Sequence, residues 1–262
     1  QYRVQNSSTV MIITDEANRS KIASTGDFAI DTEQVKVLKI YGQETLQLDS
    51  DLNFWQLLEK AEPCTGYAQL DKQDNLIILF TSGTTGLSKG VEVPVFALGA
   101  FESYMRNGLN VSEEDTFWNL ADPGWAYGLY FGVIGPLLLG TTFVVYSAPF
   151  EAEQVFRIMS DYQVTNFAGA PTAYKGLQAA NVDEEVLQNL ALKTLSSAGE
   201  PLNFEVIKWA QQSLGLPIYD HYGQTEQGMV INNHHNPKVG VAYKIGSMGV
   251  PMPGYAMVVL NE

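Results

Sequence analysis

Short apolar runs recur along the chain, each of the length that one β-strand needs. Polar or glycine-containing segments separate these runs. The predicted strands are residues 10–14, 35–40, 76–80, 116–120, 142–146, 164–168, 193–197 and 218–222, and a further strand is expected at 257–260.

Two longer segments between these runs have the period of a helix. Apolar side chains recur every three or four residues in "EAEQVFRIMSDY" (151–162) and in "NFEVIKWAQQSL" (203–214). Gly215 and Pro217 follow the second segment, as they commonly do where a helix ends. Because strands alternate with helices, we predict an α/β fold of mostly parallel sheets with helices on both faces.

Composition and charge narrow the range of functions. The chain has 262 residues, 45% of them hydrophobic, which is enough for one large α/β unit or two packed lobes. The 15 basic and 29 acidic residues give a net charge of −14, which argues against binding to nucleic acid or anionic membranes. The longest apolar stretch, 130–139, is too short to span a bilayer. Cys64 is the single cysteine, so an intrachain disulfide is excluded, and we assign no role to its thiol. The absence of disulfides is typical of a reducing compartment, and we expect a cytoplasmic location.

Hydroxyl side chains and glycines follow the predicted strand at 76–80, in the segment "LFTSGTTGLSKGVEVP" (79–94). Ligands of open α/β folds bind at the carboxyl ends of strands. Glycines let the backbone approach a ligand, hydroxyls donate hydrogen bonds and Lys89 adds a positive charge, so the segment is a candidate phosphate-binding loop. Its spacing differs from that of the G-x-x-x-x-G-K-[ST] loop, and an ordinary polar turn is the alternative.

Within that segment, "FTSGTTGLSKG" (80–90) closely resembles the phosphate-binding signature of the adenylate-forming enzymes: acyl-CoA synthetases, luciferases and peptide-synthetase adenylation domains. Ser88 departs from the family, which usually has proline there. The resemblance implies that Lys89 is catalytic. It also implies that ATP is bound by Thr81, Ser82, Gly83, Thr84, Thr85 and Gly86.

Two further segments follow in the order that the family has, each after a predicted strand. "SSAGEPL" (196–202) resembles the segment that lies against the adenine, and "DHYGQTEQG" (220–228) resembles the family's YGxTE motif. The resemblance implies nucleotide binding by Gly199, Glu200, Pro201, Asp220, His221, Tyr222, Gly223, Gln224 and Thr225.

The second of these motifs also implies individual roles. By resemblance, Tyr222 stacks on the adenine, catalytic Thr225 bonds the α-phosphate, and catalytic Glu226 binds Mg²⁺, an ion that prefers carboxylate and phosphate oxygens. The alternatives are that Tyr222 is an ordinary buried aromatic and that Glu226 is a surface carboxylate at a helix start.

A fourth segment indicates the branch of the family. "ADPGWAYGLYFGVIGPLLLGTT" (121–142) resembles the acetyl- and medium-chain acyl-CoA synthetases, which implies an acyl pocket lined by Trp125 and Ala126; a core aromatic is the alternative for Trp125. Gly223 stands where acetyl-CoA synthetases have a tryptophan that blocks the pocket floor. We therefore expect an acyl group longer than propionyl, or an aryl acid, and we expect Gly223→Trp to shift the preference towards acetate.

The resemblance also predicts the domain organisation. Residues 1–108 are expected to form a first lobe with the phosphate loop, and 109–233 a second lobe with the acyl and adenine sites. The sheets of the two lobes, each covered by helices, would form αβαβα layers. Residues 234–262 would begin a small β-barrel in addition. The C-terminal domain, with the lysine needed for adenylation, is expected to be absent, and we expect this fragment alone to be inactive.

The implied reaction joins ATP and a carboxylic acid into acyl-AMP and then transfers the acyl group to coenzyme A. One alternative is transfer to a carrier-protein thiol, and another is a non-catalytic nucleotide-binding remnant. His234 and His235 are predicted to be surface residues and not a metal pair. The oligomeric state stays open.

Overall fold

The computed structural model describes residues 2–22, 30–31, 33–40, 51–81 and 88–260. It divides into two compact units, Gln1–Glu92 and Val93–Glu262. This division falls earlier in the chain than the lobe boundary expected between residues 108 and 109, and the assignment of three lobes stays a prediction.

Among its described residues, the first unit contains two small sheets. Strands β1 (Met11–Thr14), β2 (Lys36–Lys39) and β3 (Leu52–Asn53) are parallel. Strands β4 (Asn75–Thr81) and β5 (Lys89–Pro94) pair with each other, and β5 runs into the second unit. The helices that the structure describes in this unit are α1 (Tyr2–Asn6), α2 (Glu16–Arg19) and α3 (Phe54–Lys60).

A buried ion pair holds part of the first unit together. The guanidinium of Arg19 contacts both carboxylate oxygens of Asp51, with Nε 2.7 Å from Oδ2 and Nη2 2.8 Å from Oδ1. Its remaining nitrogen Nη1 donates to the carbonyl of Ile22. This two-point geometry ties helix α2 to the residue that precedes β3, and it satisfies a charge that would be costly to bury alone.

The second unit is built on a seven-stranded sheet. In chain order its strands are β6 (Thr116–Asn119), β7 (Thr142–Phe143), β8 (Asn166–Gly169), β9 (Thr194–Ala198), β10 (Ile218–Gln224), β11 (Gly228–Asn232) and β12 (Val250–Pro251). Their order across the sheet is β12-β11-β10-β9-β8-β6-β7. Strands β6 to β10 are mutually parallel, β11 is antiparallel to β10, and β12 is antiparallel to β11.

Helices cover both faces of this sheet. This follows from the burial of consecutive residues of one strand, whose side chains point to opposite faces. Phe117 and Trp118, consecutive in β6, are both at most 1% exposed. The helices are α4 (Ala97–Ser103), α5 (Ala126–Gly128), α6 (Gly135–Leu139), α7 (Ala152–Asp161), α8 (Pro171–Ala179), α9 (Glu184–Gln188) and α10 (Phe204–Ser213), with π-helical turns at Tyr104–Gly108 and Leu129–Ile134.

The structure confirms the predicted α/β class and each of the eight strands predicted before residue 223, although β7 is shorter than expected. The strand expected at 257–260 is wrong: Val258 and Val259 are 79% and 95% exposed, and that stretch of the described chain has no strand. Residues 250–251, in the region expected to begin a barrel, extend the main sheet as β12. Among the described residues, no helix combines the length and the apolar character that crossing a bilayer requires.

Candidate active site

A cleft of about 860 Å³ lies in the second unit, at the carboxyl ends of its parallel strands. Residues at or just after the ends of β6, β7, β8, β9 and β10 all contribute to its wall. This edge of a parallel sheet is where open α/β folds bind ligands. The predicted site residues that line the cleft are Trp125, Ala126, Gly199, Glu200, Gly223, Gln224 and Thr225.

The first part of the helical run, from Ala126 to Val133, forms one wall of the cleft. Asn119, at the end of β6, holds the turn that leads into it: its Nδ2 donates to the carbonyl of Tyr127 at 3.1 Å, and its Oδ1 accepts from the amide of Ala121 at 3.0 Å. Gly128 packs directly against the backbone carbonyls of residues 121 and 122, where a Cβ would collide. Only glycine therefore lets the helix start this close to the strand end.

Trp125 stands at the rim of this wall. It is 74% exposed, so it is not a core aromatic between layers, and the alternative weighed for it is wrong. Ala126 is half-buried beside it. The role of both residues in holding an acyl group stays a prediction.

The turn after β9 brings a second predicted segment to the cleft. Gly199 has φ of +103°, a conformation that glycine adopts without strain. Gly199 and Glu200 are exposed and line the cleft, whereas Pro201 is exposed but does not line it. Because Gly199 has no side chain, a flat ring can come close to the backbone at this turn.

The hairpin between β10 and β11 brings the third predicted segment. Its register shifts between Tyr222 and Gly223, which is a β-bulge, and Gly223, Gln224 and Thr225 then face the cleft. Glu226 is exposed at the hairpin turn, so it does not begin a helix as one alternative supposed. Tyr222 is half-buried and does not line the cleft.

Asp220 and His221 lie in β10 itself, before the bulge, and do not line the cleft. Burial raises the pKa of Asp220 to about 6, against the effect of backbone hydrogen bonds from His221 and Leu202. The His221 side chain is 2% exposed, and burial lowers its pKa to about 3. The structure therefore does not bring the His221 side chain, predicted to bind nucleotide, to the cleft surface.

His221 instead anchors a chain of hydrogen bonds below the cleft. Its Nε2 lies 2.9 Å from the carbonyl of Asn233, so Nε2 carries the proton and Nδ1 accepts from the Tyr104 hydroxyl at 2.6 Å. The Tyr104 oxygen can then accept from the hydroxyl of Tyr127, 3.3 Å away. Because Tyr127 lines the cleft, these hydrogen bonds link the position of the Tyr127 side chain to the buried His221.

The prediction that His234 and His235 are surface residues is wrong. His234 is 5% exposed. The His235 ring stacks on Tyr219 with centroids 4.0 Å apart, and its Nε2 lies 3.0 Å from Ser196 Oγ. Burial lowers the pKa of His235 to about 4. The part of the chain that the structure describes contains no cluster of three or more potential metal ligands.

The predicted phosphate loop belongs to the first unit. Thr81 ends β4 and Lys89 begins β5, while Ser82, Gly83, Thr84, Thr85 and Gly86 lie outside the described residues. Lys89 is exposed. The phosphate-binding role of this loop stays a prediction.

Sequence reasoning missed most of the aromatic residues of the cleft, among them Tyr127, Tyr130 and Phe131. Tyr130 follows the predicted pocket residue Ala126 by four positions, which is helical spacing and could have indicated a shared face. Nothing in the spacing indicates Tyr127, whose place depends on contacts with Tyr104.

The amino-acid sequence is similar to curated acetyl- and acyl-CoA synthetases. It is 35% identical over 242 residues to an acetyl-coenzyme A synthetase of Methanothrix thermoacetophila, covering 88% of this chain and 36% of that protein. It is 31% identical over 264 residues to the mitochondrial acyl-coenzyme A synthetase ACSM3 of Mus musculus, covering 100% of this chain and 43% of that protein. The chain thus spans less than half the length of these curated relatives.

Solved structures of acyl-CoA synthetases and CoA ligases are similar to this chain as well. The fold matches an acyl-CoA synthetase of Brucella canis with a TM-score of 0.90 and 41% identity, over 100% of this chain and 46% of that one. An anthranilate CoA ligase solved with anthranoyl-AMP shares the fold, with a TM-score of 0.83 at 21% identity over 100% of this chain and 49% of that one. The family model described as AMP-binding enzyme matches residues 1–262. Since that match covers the whole chain and the relatives named above are acyl-CoA synthetases, the chain belongs to the AMP-binding enzyme family.

Proposed function

We propose that this chain is part of an AMP-forming acyl-CoA synthetase, and that the cleft of the second unit binds the acyl-adenylate. The observation that carries the proposal is the meeting of three separate predicted segments, around residues 125, 199 and 223, at one edge of the parallel sheet. The acyl-CoA synthetases among the relatives support the same reaction class.

In the proposed reaction, a carboxylate oxygen attacks the α-phosphorus of ATP. A new oxygen–phosphorus bond forms, the bond to the β-phosphate breaks, and pyrophosphate leaves with the electron pair. Thr225 would donate a hydrogen bond to the α-phosphate, and the catalytic role of Lys89 stays a prediction. Donors fixed where charge develops are the largest catalytic contribution that such a site offers.

Glu226 fits the donor chemistry of a Mg²⁺ site. It presents a single exposed carboxylate at the turn next to Thr225, and Mg²⁺ commonly takes one or two carboxylates while phosphates and water complete its shell. When bound, the ion would offset negative charge on the phosphate oxygens. The adenine would lie against Gly199 and Glu200, which line the cleft, and the stacking of Tyr222 on the adenine stays a prediction.

The wall of the cleft supports a substrate larger than propionate. Several aromatic side chains line it, and an aryl or medium-length alkyl group would bury apolar surface against Trp125, Phe131 and Phe150. We propose coenzyme A as the acceptor, because the segment at 121–142 resembles the coenzyme-dependent branch. Transfer to a carrier-protein thiol is the second candidate.

We also propose that the 262-residue polypeptide does not turn over by itself. It spans 36% to 46% of the relatives described above, so more than half of their length lies outside the match. A reducing, cytoplasmic setting is proposed from the single exposed cysteine.

Thr225→Ala in the full-length gene product tests the function. We expect ATP–pyrophosphate exchange that depends on hexanoate or benzoate in the wild type, and a kcat about 100-fold lower in the variant, since one donor to the developing charge is lost. Thr142→Ala, an exposed threonine on β7, is the matched control and should keep wild-type exchange.

The same assay offers coenzyme A and a phosphopantetheinyl carrier protein as acceptors. Product formation only with the carrier protein would show that the acceptor is the carrier-protein thiol and not coenzyme A. A wild-type enzyme that shows no acid-dependent exchange would contradict both.

A further inference from the structure

Tyr130 carries a buried hydroxyl group in the wall of the cleft. The residue is 1% exposed, and the hydroxyl has no hydrogen-bond partner among the residues that the structure describes. Its ring is fixed by neighbours, stacked on Phe101 with centroids 4.6 Å apart and set edge-on to Phe131 at 6.0 Å. The hydroxyl therefore cannot swing out to solvent without disturbing this aromatic cluster.

A phenylalanine would fill the same space without burying a polar group. Burying a donor that has no partner costs free energy, and native proteins rarely leave such groups unpaired. The neighbouring Tyr127 illustrates the usual outcome, because its hydroxyl is within reach of Tyr104. The unpaired hydroxyl of Tyr130 thus indicates a partner that arrives with a ligand.

The position of Tyr130 indicates which part of a ligand it would meet. It lies four residues after Ala126, one helical turn further along the same wall of the cleft. Burial, and after it the charge of Glu226, raise the pKa of Tyr130 to about 12. The group is therefore a hydrogen-bond donor at any working pH, and it lies within the electrostatic reach of the hairpin turn that carries Thr225.

We infer that the Tyr130 hydroxyl donates a hydrogen bond to the carboxylate of the acid substrate and positions that carboxylate for attack on the α-phosphorus. This inference rests on the proposed function. The tyrosine keeps its proton throughout, and the carboxylate oxygen supplies the electron pair for the new bond. An anionic acceptor makes the stronger hydrogen bond, and a carboxylate is the one group that all acid substrates share.

Tyr130→Phe in the full-length gene product is the test. We expect an unchanged or higher melting temperature, because an unpaired buried donor is removed, together with an acid KM about tenfold higher and an unchanged KM for ATP. The dissociation constant of benzoate or hexanoate, measured by its effect on the melting temperature, should rise by a similar factor. That binding measurement needs no turnover, so it tests the inference even if exchange, and with it the proposed function, fails.

Tyr174→Phe is the matched control. Tyr174 is also fully buried, but its hydroxyl donates to the carbonyl of Ser196 at 3.0 Å and it does not line the cleft. This control should lose stability and keep wild-type acid affinity. Unchanged acid affinity in Tyr130→Phe would overturn the inference, and so would a loss confined to acids with a polar substituent on the tail.

Discussion

Gly223→Trp is expected to disrupt the hairpin between β10 and β11, and not simply to shorten the acyl pocket. A Cβ at Gly223 would collide with the carbonyl oxygen of Gly228 and would lie 2.6 Å from the sulfur and 2.9 Å from the Cα of Met229. Two of these three atoms belong to the backbone of β11, which cannot move without breaking its pairing. The simple expectation from the sequence, that an indole could be added here to favour acetate, therefore needs a correction.

Gly223→Ala isolates the effect of the Cβ. Overpacking of this kind costs about 1–3 kcal/mol in the free energy of unfolding, and the indole should cost more. Urea unfolding of the two variants measures both effects. Gly99→Ala is the control: it lies in helix α4 with open space around its Cα, so alanine there should be neutral or stabilising. A Gly223→Trp protein with wild-type stability and a new preference for acetate would contradict this prediction.

The second large effect is a loss of stability in acid. All three histidines of the chain lie between residues 221 and 235. Burial lowers the pKa of His221 from 6.5 to about 3 and that of His235 from 6.5 to about 4. Below pH 6.5 the unfolded chain therefore binds protons that the folded protein does not bind. The free energy of unfolding consequently falls as the pH drops from about 6.5 towards 3.

Asp220 opposes part of this trend. Burial raises its pKa from 3.8 to about 6, so between those values the folded protein takes up a proton that the unfolded chain does not. Two histidines against one carboxylate leave a net uptake of one proton on unfolding in that range. The expected slope is roughly 1.4 kcal/mol per pH unit between about pH 4.5 and 6, and it becomes shallower above pH 6.5, where the histidines of the unfolded chain also lose their protons.

Urea unfolding at intervals between pH 7 and pH 4 measures this slope. His235→Gln removes one of the two titrating rings and should flatten the curve between pH 6.5 and 4, since glutamine binds no proton in either state. Stability that stays constant or rises on acidification over this range would contradict the burial of neutral histidines.

The sequence predicted which segments reach the cleft better than it predicted the contacts behind them, for a physical reason. Strands follow from local apolar runs, and a motif placed directly after a strand of a parallel sheet must lie at its carboxyl edge, as Gly199 and Thr225 do. The His221–Tyr104 hydrogen bond joins residues that lie 117 positions apart, and no local pattern reveals it. The stack of His235 on Tyr219 likewise depends on how the chain returns to the sheet after β11.

Other features depend on strand pairing. The residues at 257–260 have the apolar character of a strand, yet Val259 is almost fully exposed and the run is not in a sheet. The bulge between Tyr222 and Gly223 decides where a Cβ at 223 would point, and it arises from the register with β11. Neither property can be read from one segment alone, because each depends on which strand lies beside it.

A crystal structure of the full-length gene product with a non-hydrolysable acyl-AMP analogue is the most direct test of adenylate binding in this cleft. We expect the adenine against Gly199 and Glu200, the phosphate within hydrogen-bond reach of the Thr225 hydroxyl, and the acyl group between Trp125 and Tyr130. An analogue bound elsewhere, with Thr225 out of reach of its phosphate, would contradict the assignment of the cleft.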